Sequence, residues 1–441
     1  MNQDKTANST GRILVIGVGP NGLGAEQRAT LAGCRLLVAA QRYRELVAES
    51  AAQWIPIAPL DQALATMARR LPEGDIGVLA GGDPLFFGIG RRLLERFTPE
   101  QLEFRPAPTA VQLACARFRL PWDDARLISL HGRESNAALD PLAGPGLTAR
   151  LLAGPKTVVL TDRHWSPDRI AATLQSYLAT VGATGVAASI RLLVAENLGT
   201  AEERLTSGRL TEIADRRFAP LNVLIILIGV RSCNATKGVE LAVTPEPNFV
   251  ALQDLTPIIG LREGEFAHQR GMITKDEVRA VTLHKLALPP HGVLWDLGAA
   301  SGSVSIEAAR LAPGLLICAV EKQEERLSDL RANIVKFTAF SVLPVAGEAP
   351  AVLSGLPDPD RIFIGGSGGR LAEIISTGST RLAPGGRMVI NGVTAATREQ
   401  APRLLQAAGL TVEISEVTVR RLSADGRALN FNPISIITGS K

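Results

Sequence analysis

The sequence predicts an α/β protein in two parts, a two-lobed N-terminal unit followed by a doubly wound parallel sheet, and three observations carry that prediction. Short apolar strands alternate with helical stretches from Arg12 to about Val230, the layering expected where helices cover the faces of a sheet. A stretch punctuated by Pro245, Pro247 and Pro257, without clean periodicity, then separates the halves. Beyond it, the apolar run at 293–297 enters a Gly-containing loop and a helix from Ser303, the crossover of an open α/β sheet whose ligand crevice lies past the carboxyl ends of its strands.

Composition bounds the partners. At 441 residues the chain has room for two or three domains of roughly 100 to 200 residues each. Hydrophobic residues make up 46% and charged residues 20%, which excludes a disordered chain. Net charge is +4, only eight of the 47 basic residues are lysine, no run of five or six basic residues occurs, and aromatics are 4%, so neither an electrostatic track nor a stacking platform for nucleic acid is expected. Cys34, Cys115, Cys233 and Cys318 are far apart, with no C-x-x-C and no clustering of the five histidines; no metal site is expected. The first ten residues are polar and the longest apolar run, 223–230, is far short of the ~20 residues that span a bilayer. A cytoplasmic protein with reduced thiols and no membrane partner is the expectation.

Taken in order, the N-terminal unit spans 11–231, with lobes of about 11–118 and 119–231 divided where Pro106, Pro108 and Pro121 interrupt the pattern. Its strands are expected from Arg12 into the Gly17-Val18-Gly19-Pro20 turn and at 36–39, 76–80, 157–161, 190–195 and 223–230, with a helix at 85–97. Residues 232–262 form a linker, an ordered one because Phe249, Leu252 and Ile258 have apolar surface to bury. The second domain, 263–441, opens with Thr274-Lys275-Asp276-Glu277, read as a capping box ahead of a helix carrying Val278, Val281, Leu283 and Leu286. Strand 315–320, helix 323–336, strand 361–364 ending in Gly365-Gly366-Ser367-Gly368-Gly369, and strand 387–391 follow. The last segments, 412–421 and 428–438, lack an intervening helix and read as an antiparallel edge hairpin. No internal repeat is present.

Two sets of loops carry chemistry. In Asp296-Leu297-Gly298-Ala299-Ala300-Ser301-Gly302 the glycines let backbone approach a ligand, the helix from Ser303 offers free amides, and Glu321, about 20 residues on, is placed to accept from ribose hydroxyls. That fits a dinucleotide or S-adenosylmethionine; the spacing D-x-G-x-x-x-G, instead of the pyrophosphate-packing G-x-G-x-x-G, favours S-adenosylmethionine over a dinucleotide, and the agreement of loop, helix and distal acid favours a ligand over an ordinary βα turn. In Gly82-Asp83-Pro84-Leu85-Phe86-Phe87-Gly88, Pro84 stiffens the turn, Asp83 offers an acceptor, and the two phenylalanines can wall a flat adenine or tetrapyrrole. The alternative there is a Pro-terminated turn with core phenylalanines.

Through Val15-Ile16-Gly17-Val18-Gly19-Pro20, Gly82 to Gly88, Pro108-Thr109-Ala110 and Ser129-Leu130-His131-Gly132-Arg133, the first half resembles the tetrapyrrole methylases. Through Ile273 to Arg279, Asp296 to Ser303, Gly347-Glu348-Ala349-Pro350 and Phe363 to Gly369, the second half resembles the class I methyltransferase partner of the cobalamin pathway. In that order and length the pair is similar to the bifunctional, decarboxylating precorrin methyltransferases. The resemblance implies a class III tetrapyrrole methylase domain followed by a class I Rossmann-like methyltransferase domain. It implies methylation of carbons 5 and 15 of reduced precorrin-6 and decarboxylation of the acetate on carbon 12, giving precorrin-8, with S-adenosylmethionine at two sites. Carried over by position, Pro20, Gly82, Asp83, Phe87, Thr109 and Ala110 would line the first cofactor pocket, and Gly298, Ser301, Gly302, Glu321, Glu348 and Ala349 the second, with Glu348 or its neighbour at the adenine edge. Ala300 stands where the family often has glycine, and Asn21 where it often has glycine or an acid.

The tetrapyrrole substrate carries many carboxylates, which Arg262, Arg270 and Lys275 would meet near Gly366 and Ser367; the bland reading of these cations is a solvated entry segment. No catalytic residue is assigned. His131 and His268 are the candidates to position or protonate the macrocycle, against a role as loop hydrogen-bonders. Asp358 and Asp360 read as turn residues. A homo-oligomer is expected. The rival readings are an RNA methyltransferase, disfavoured by the scarce aromatics and absent basic tracts, and a non-catalytic tandem nucleotide-binding sensor.

Overall fold

Parallel strands covered on both faces are continuous apolar runs, and Ile13–Val18 (β1) is one, buried along its whole length. The structure, a computed structural model, describes residues 11–130, 143–229, 259–269, 271 and 273–441. β2 (Leu36–Ala39), β3 (Gln53–Pro56), β4 (Ile76–Gly81) and β5 (Leu102–Arg105) join β1 in an all-parallel sheet ordered β3-β2-β4-β1-β5. The carboxyl ends of β4, β1 and β5 therefore open side by side. A methyl on Gly17 would sit 2.1 Å from the Gly82 carbonyl oxygen and 2.4 Å from the Ala107 nitrogen, so only glycine lets the neighbouring chains close over the end of β1.

The helix expected at 85–97 is confined to Gly90–Arg96. Asp83 Oδ1 accepts from the Leu85 amide at 2.8 Å and Phe87 takes φ +51°; a side chain that captures the amide two residues on competes with the first helical turn.

The second sheet is mixed. β6 (Arg126–Ser129) runs parallel to β7 (Lys156–Leu160), while β8 (Arg191–Glu196), β9 (Arg204–Gly208) and β10 (Asn222–Leu227) pair antiparallel in the order β6-β7-β10-β8-β9. The helix Ala110–Phe118 starts over the first sheet, yet its buried Val111, Ala114, Cys115 and Phe118 pack on Val158, Leu193 and Val223 of the second. It is the splint between the lobes.

In the C-terminal half, β11 (His291–Leu297), β12 (Gly314–Glu321), β13 (Val342–Ala346), β14 (Arg361–Ile364) and β15 (Arg387–Gly392) are parallel, with β16 (Thr411–Val417) and β19 (Ile434–Ser440) antiparallel, in the order β13-β12-β11-β14-β15-β19-β16. The expected terminal hairpin is present in a different form. Its returning strand inserts inside the sheet beside β15, leaving β16 at the edge, and its arms break into a second short ladder, β17 (Arg420–Leu422) with β18 (Ala428–Asn430). Val417 pairs with Ile434 but Arg420 with Asn430, so the returning arm carries one extra residue at the break. Pro433, which has no amide hydrogen, falls there.

The capping box expected at 274–277 is not formed. The helix Asp276–Leu286 has Lys275 at its N-cap without a side-chain bond, and the Thr274 carbonyl instead accepts from Arg279 Nη1 at 3.0 Å. Arg279 is buried with Glu307, Nε to Oε2 3.0 Å, and also donates to the Leu261 carbonyl, while Glu307 Oε1 accepts the amides of Gly260 and Leu261 at 2.9 and 2.7 Å. This pair fastens the incoming chain to the sheet. The halves share a core as well: Tyr177 of the helix Pro167–Thr180 donates to the Val342 carbonyl at 2.8 Å and packs edge-on against Phe340, in a cluster that continues from Ile128 and Leu174 to Ile317 and Leu330.

Candidate functional site

At the mouth of the first sheet, Gly19 and Gly22 form an isolated bridge that projects Pro20. Gly82 at φ +66° donates to the Val18 carbonyl (3.0 Å) and accepts from Ala107 (3.2 Å), and a methyl on it would lie 3.1 Å from Thr109 Cα. Thr109 caps the helix reciprocally with Gln112, its Oγ1 accepting from the Gln112 amide at 3.1 Å and its own amide donating to Gln112 Oε1 at 2.8 Å. Pro20, Gly82, Asp83, Thr109 and Ala110 thus gather where β1, β4 and β5 end. Phe87 stands half exposed beside Phe86, ring centres 4.8 Å apart. From the second lobe, the turn at Gly199 comes so close that a methyl there would meet Pro20 Cβ at 2.5 Å. This group of loops lies between the lobes.

The second site is a cleft of about 580 Å³ beyond the ends of β11, β12, β14 and β15, a size that accommodates a small-molecule ligand. Gly298 (φ +74°), Ala300 (φ +48°) and Gly302 (φ +75°) bend the loop; Gly298 and Ala300 line the cleft, whereas Gly302 is not in its wall and turns its open side to the core, where a methyl would meet Leu330 Cδ1 at 2.2 Å. A methyl on Gly298 would approach the oxygen, nitrogen and Cα of Gly366 at 2.7, 2.8 and 3.0 Å, so this glycine is what lets the two loops touch. Glu321, buried at the tip of β12, accepts from the Lys322 and Gln323 amides on Oε1 (2.9 and 3.0 Å) and from the Ala300 amide on Oε2 (3.0 Å). A carboxylate has about four acceptor positions, so with three amides bound it can still accept from a ligand. Glu348 is fastened to Lys322 Nζ at 2.7 Å, and Ala349 is buried behind it. Ser301 and Gly366 to Gly368 complete the lining.

Lys275 lines the cleft but is paired with Glu263 at 2.5 Å, stacked 5.4 Å from the Phe431 ring. Arg421 ties Glu263 (2.6 Å) to Glu277 (2.7 Å) and holds the Glu277 carboxyl down at about 2. Arg262 is exposed on the same entry segment. His268 has a buried Nδ1 without a hydrogen-bond partner among the described residues and is not among the residues of the cleft wall. His131 and Arg270 fall outside the described residues, as do linker positions 232–258. Asp360 accepts from the Val293 amide at 2.8 Å and Asp358 binds Arg381 at 2.6 Å, which is structural work at the turn before β14.

Two residues of the cleft were not singled out from the sequence. Asn391 is a polar residue closing the apolar strand β15, a signal that was there to read. Asp296 closes β11 in the same way and is wholly buried; Ser305 Oγ donates to its Oδ2 at 2.5 Å, while Oδ1 has no partner among the described residues. Burial pushes its carboxyl up to about 6, helped by the charge of Glu321 and opposed by Ser305. An exposed aspartate ionises near 3.9. Between those values the folded chain keeps a proton that the unfolded chain has released, so this contribution to stability is present at about pH 4 and is lost as pH rises through about 6. Asp296→Asn, which has no proton to lose, is expected to be flatter than the parent over that window by roughly 2 kcal/mol, measured by denaturant titration at pH 4.5 and 7. Equal slopes would contradict the burial argument.

Ala300 is held in the left-handed region, which costs a non-glycine residue about 1–2 kcal/mol. Ala300→Gly is expected to raise stability by about 0.5–1 kcal/mol after the entropy of glycine is counted, read as an increased melting temperature. A decrease would show that the alanine methyl is packed favourably.

The residues present fit S-adenosylmethionine in the second cleft: a loop contact at Gly298 that a single Cβ would force apart, a buried carboxylate oxygen of Asp296 without a partner among the described residues, and an oriented acid at the neighbouring strand tip. Fold and site together define a tandem methyltransferase. Residues 12–214 match the family model of Tetrapyrrole (Corrin/Porphyrin) Methylases, and residues 265–439 that of the Precorrin methyltransferase domain. A precorrin-6Y C(5,15)-methyltransferase [decarboxylating] from Sinorhizobium sp is 33% identical over 437 residues, covering 97% of this chain and 95% of that protein. A probable cobalt-precorrin-6B C(15)-methyltransferase (decarboxylating) from Pyrobaculum calidifontis is 39% identical over 185 residues, covering 41% of this chain and 94% of that protein. A crystal structure of precorrin-6y C5,15-methyltransferase from Geobacter metallireducens is 45% identical, with a TM-score of 0.42, covering 42% of this chain and 100% of that one. The chain belongs to the precorrin-6Y C(5,15)-methyltransferase (decarboxylating) family, a family of S-adenosylmethionine-dependent methyltransferases. No helix among the described residues is long and apolar enough to cross a membrane.

Proposed function

We propose that this chain methylates carbons 5 and 15 of reduced precorrin-6 and removes the acetate carboxylate on carbon 12, using S-adenosylmethionine at two separate sites. The observation that carries the reading is that one chain, similar from end to end to a relative of that name, holds a ligand loop set in each half. We assign methylation of carbon 5 to residues 11–231, and methylation of carbon 15 with decarboxylation to residues 263–441. The Precorrin methyltransferase domain match over 265–439, together with a single-activity C(15) relative that is 94% covered by a match of 185 residues, supports that division.

When bound, S-adenosylmethionine supplies an electrophilic methyl on a sulfonium. What the chain must do is align that methyl with an electron-rich carbon of the macrocycle and keep water out, which is mostly a matter of position. Gly298 brings backbone close, Gly302 lets the following helix start against Leu330, and Glu321 would orient a ribose hydroxyl. In the first half Gly82, Asp83, Thr109 and Ala110 would do the corresponding work under Pro20, with Phe87 as a wall. Lys275, Arg262 and the Gly366-Ser367 turn face the side from which a polycarboxylate would enter. Decarboxylation sends the electrons of the breaking C–C bond into the conjugated ring and returns a proton to carbon, so no nucleophilic residue is required.

Calorimetric titration of the full chain with S-adenosylhomocysteine is expected to need two sites, one of them weakened by Asp83→Ala and the other by Glu321→Gln. A single site insensitive to Asp83 would remove the first-half assignment.

A further inference from the structure

We infer that Glu203 is a positioning residue for the first cofactor site: by holding the turn between β8 and β9 against Pro20, it fixes the second lobe over the mouth of the first sheet. The inference rests on the first-half site proposed above and adds what keeps its two lobes in register. In that turn, residues 197–203, Asn197 (φ +48°) and Gly199 (φ +78°) bend the chain through the left-handed region, where a non-glycine residue stays only if neighbouring contacts hold it. The Asn197 carbonyl accepts from the Thr200 amide at 3.1 Å and from Thr200 Oγ1 at 2.9 Å, and the Gly199 amide donates to Glu203 Oε2 at 2.8 Å. Leu198, between them, packs into the apolar cluster that also takes Phe86 from the loop after β4. One turn of the second lobe therefore meets two loops of the first, Gly199 against Pro20 and Leu198 in a shared cluster with Phe86.

Glu203 closes a ring of contacts around that mouth. The helix Ala110–Phe118 has Thr109 as its cap and Arg117 in its last turn. Arg117 meets Glu203 through two hydrogen bonds, Nε to Oε1 at 2.5 Å and Nη2 to Oε2 at 3.3 Å, a fork-to-carboxylate geometry that fixes direction as well as distance. The guanidinium holds the Glu203 carboxyl below the usual carboxylate range, so the acid is ionised at neutral pH. Its Oε2 is shared between Arg117 on one side and the Gly199 amide on the other. From Thr109 along the helix to Arg117, through Glu203 to Gly199 and on to Pro20, the contacts run from one loop of the first site back to another. With the Arg117 side chain 41% exposed, the ion pair by itself contributes little to stability. Its consequence is positional, because the acceptor it orients is the one that fastens Gly199.

Calorimetric titration of the full chain with S-adenosylhomocysteine tests the role, with the second site as an internal control for folding. Glu203→Ala is expected to weaken the first site about tenfold, the loss of one hydrogen bond to a charged acceptor, and to leave the second within about twofold of the parent. Glu203→Gln keeps an oxygen for the Gly199 amide and should stay within about threefold. The discriminating variant is the swap of Arg117→Glu with Glu203→Arg. It restores the ion pair but moves the carboxylate to the helix side, and a guanidinium cannot accept from an amide. The melting temperature should then match the parent's while the first site stays about tenfold weaker. Gly199→Ala attacks the same contact from the other end, since its methyl would meet Pro20 Cβ at 2.5 Å and Cα at 2.7 Å; it should weaken the first site and spare the second. With reduced precorrin-6, Glu203→Ala should raise the KM for S-adenosylmethionine in methylation of carbon 5 about tenfold while kcat moves less. Parent affinity at the first site in Glu203→Ala or in Gly199→Ala, recovery of that affinity in the swap, or equal losses at both sites would each overturn the proposal. A parent with a single site insensitive to Asp83→Ala removes the first-half reading itself, whereas two sites that ignore every one of these variants remove only the role of Glu203.

Discussion

Gly298→Ala should abolish tight S-adenosylhomocysteine binding at the second site while leaving the first untouched. The methyl would enter at φ +74° and within 2.7 to 3.0 Å of three backbone atoms of Gly366, and backbone cannot swing away as a flexible side chain can. The left-handed conformation costs about 1–2 kcal/mol and overpacking about 1–3 kcal/mol. Relief requires the 298–302 loop and the Gly366 turn to part, which opens the cradle itself, so about 3 kcal/mol of the cost falls on binding, a loss of about 100-fold. Calorimetry of the full chain reads this as the disappearance of one of two sites. A variant that melts like the parent and keeps both sites would show that the two loops do not depend on this contact.

Glu321→Gln is expected to weaken the same site by about 10- to 100-fold. The carboxylate accepts from the amides of Lys322, Gln323 and Ala300 and still has an acceptor position for a ligand. An amide in its place must turn its NH2 toward one of those N–H groups, so either the Ala300 bend or the 322–323 turn loses its anchor. A hydrogen bond to a charged partner is worth about 1.5–3 kcal/mol. Equilibrium binding at pH 7 measures the effect, and a folded Glu321→Gln chain with the parent's affinity would remove the acid from the site.

Much of this arrangement was legible because it is written in local chemistry. A buried parallel strand announces itself by an unbroken apolar run, and a ligand loop by the glycines that end it; β1, β4, β11, β12 and β14 and the loops at Gly82, Gly298 and Gly366 all follow that rule. What was not legible depends on distant partners. The 85–97 segment has helical composition, but Asp83 captures the Leu85 amide and delays the helix to Gly90. The capping residues at 274–277 were right in type, yet Arg279, engaged with Glu307 and Leu261, takes the Thr274 carbonyl. The insertion of β19 between β15 and β16, the Tyr177–Val342 contact that joins the halves, and the packing of the Ala110–Phe118 helix on the second sheet leave no periodic trace. Asn391 was readable as a polar end to an apolar strand; its hydrogen-bond partner Thr282, 109 residues away in sequence, was not.

The most direct test of the account is the mass of the product formed by the full chain from reduced precorrin-6 and S-adenosylmethionine. The expected product has gained two methyl groups in place of hydrogens and lost one carbon dioxide, with Gly298→Ala adding only the methyl at carbon 5. A parent product that gains a single methyl, or that gains two and keeps every carboxylate, would contradict it.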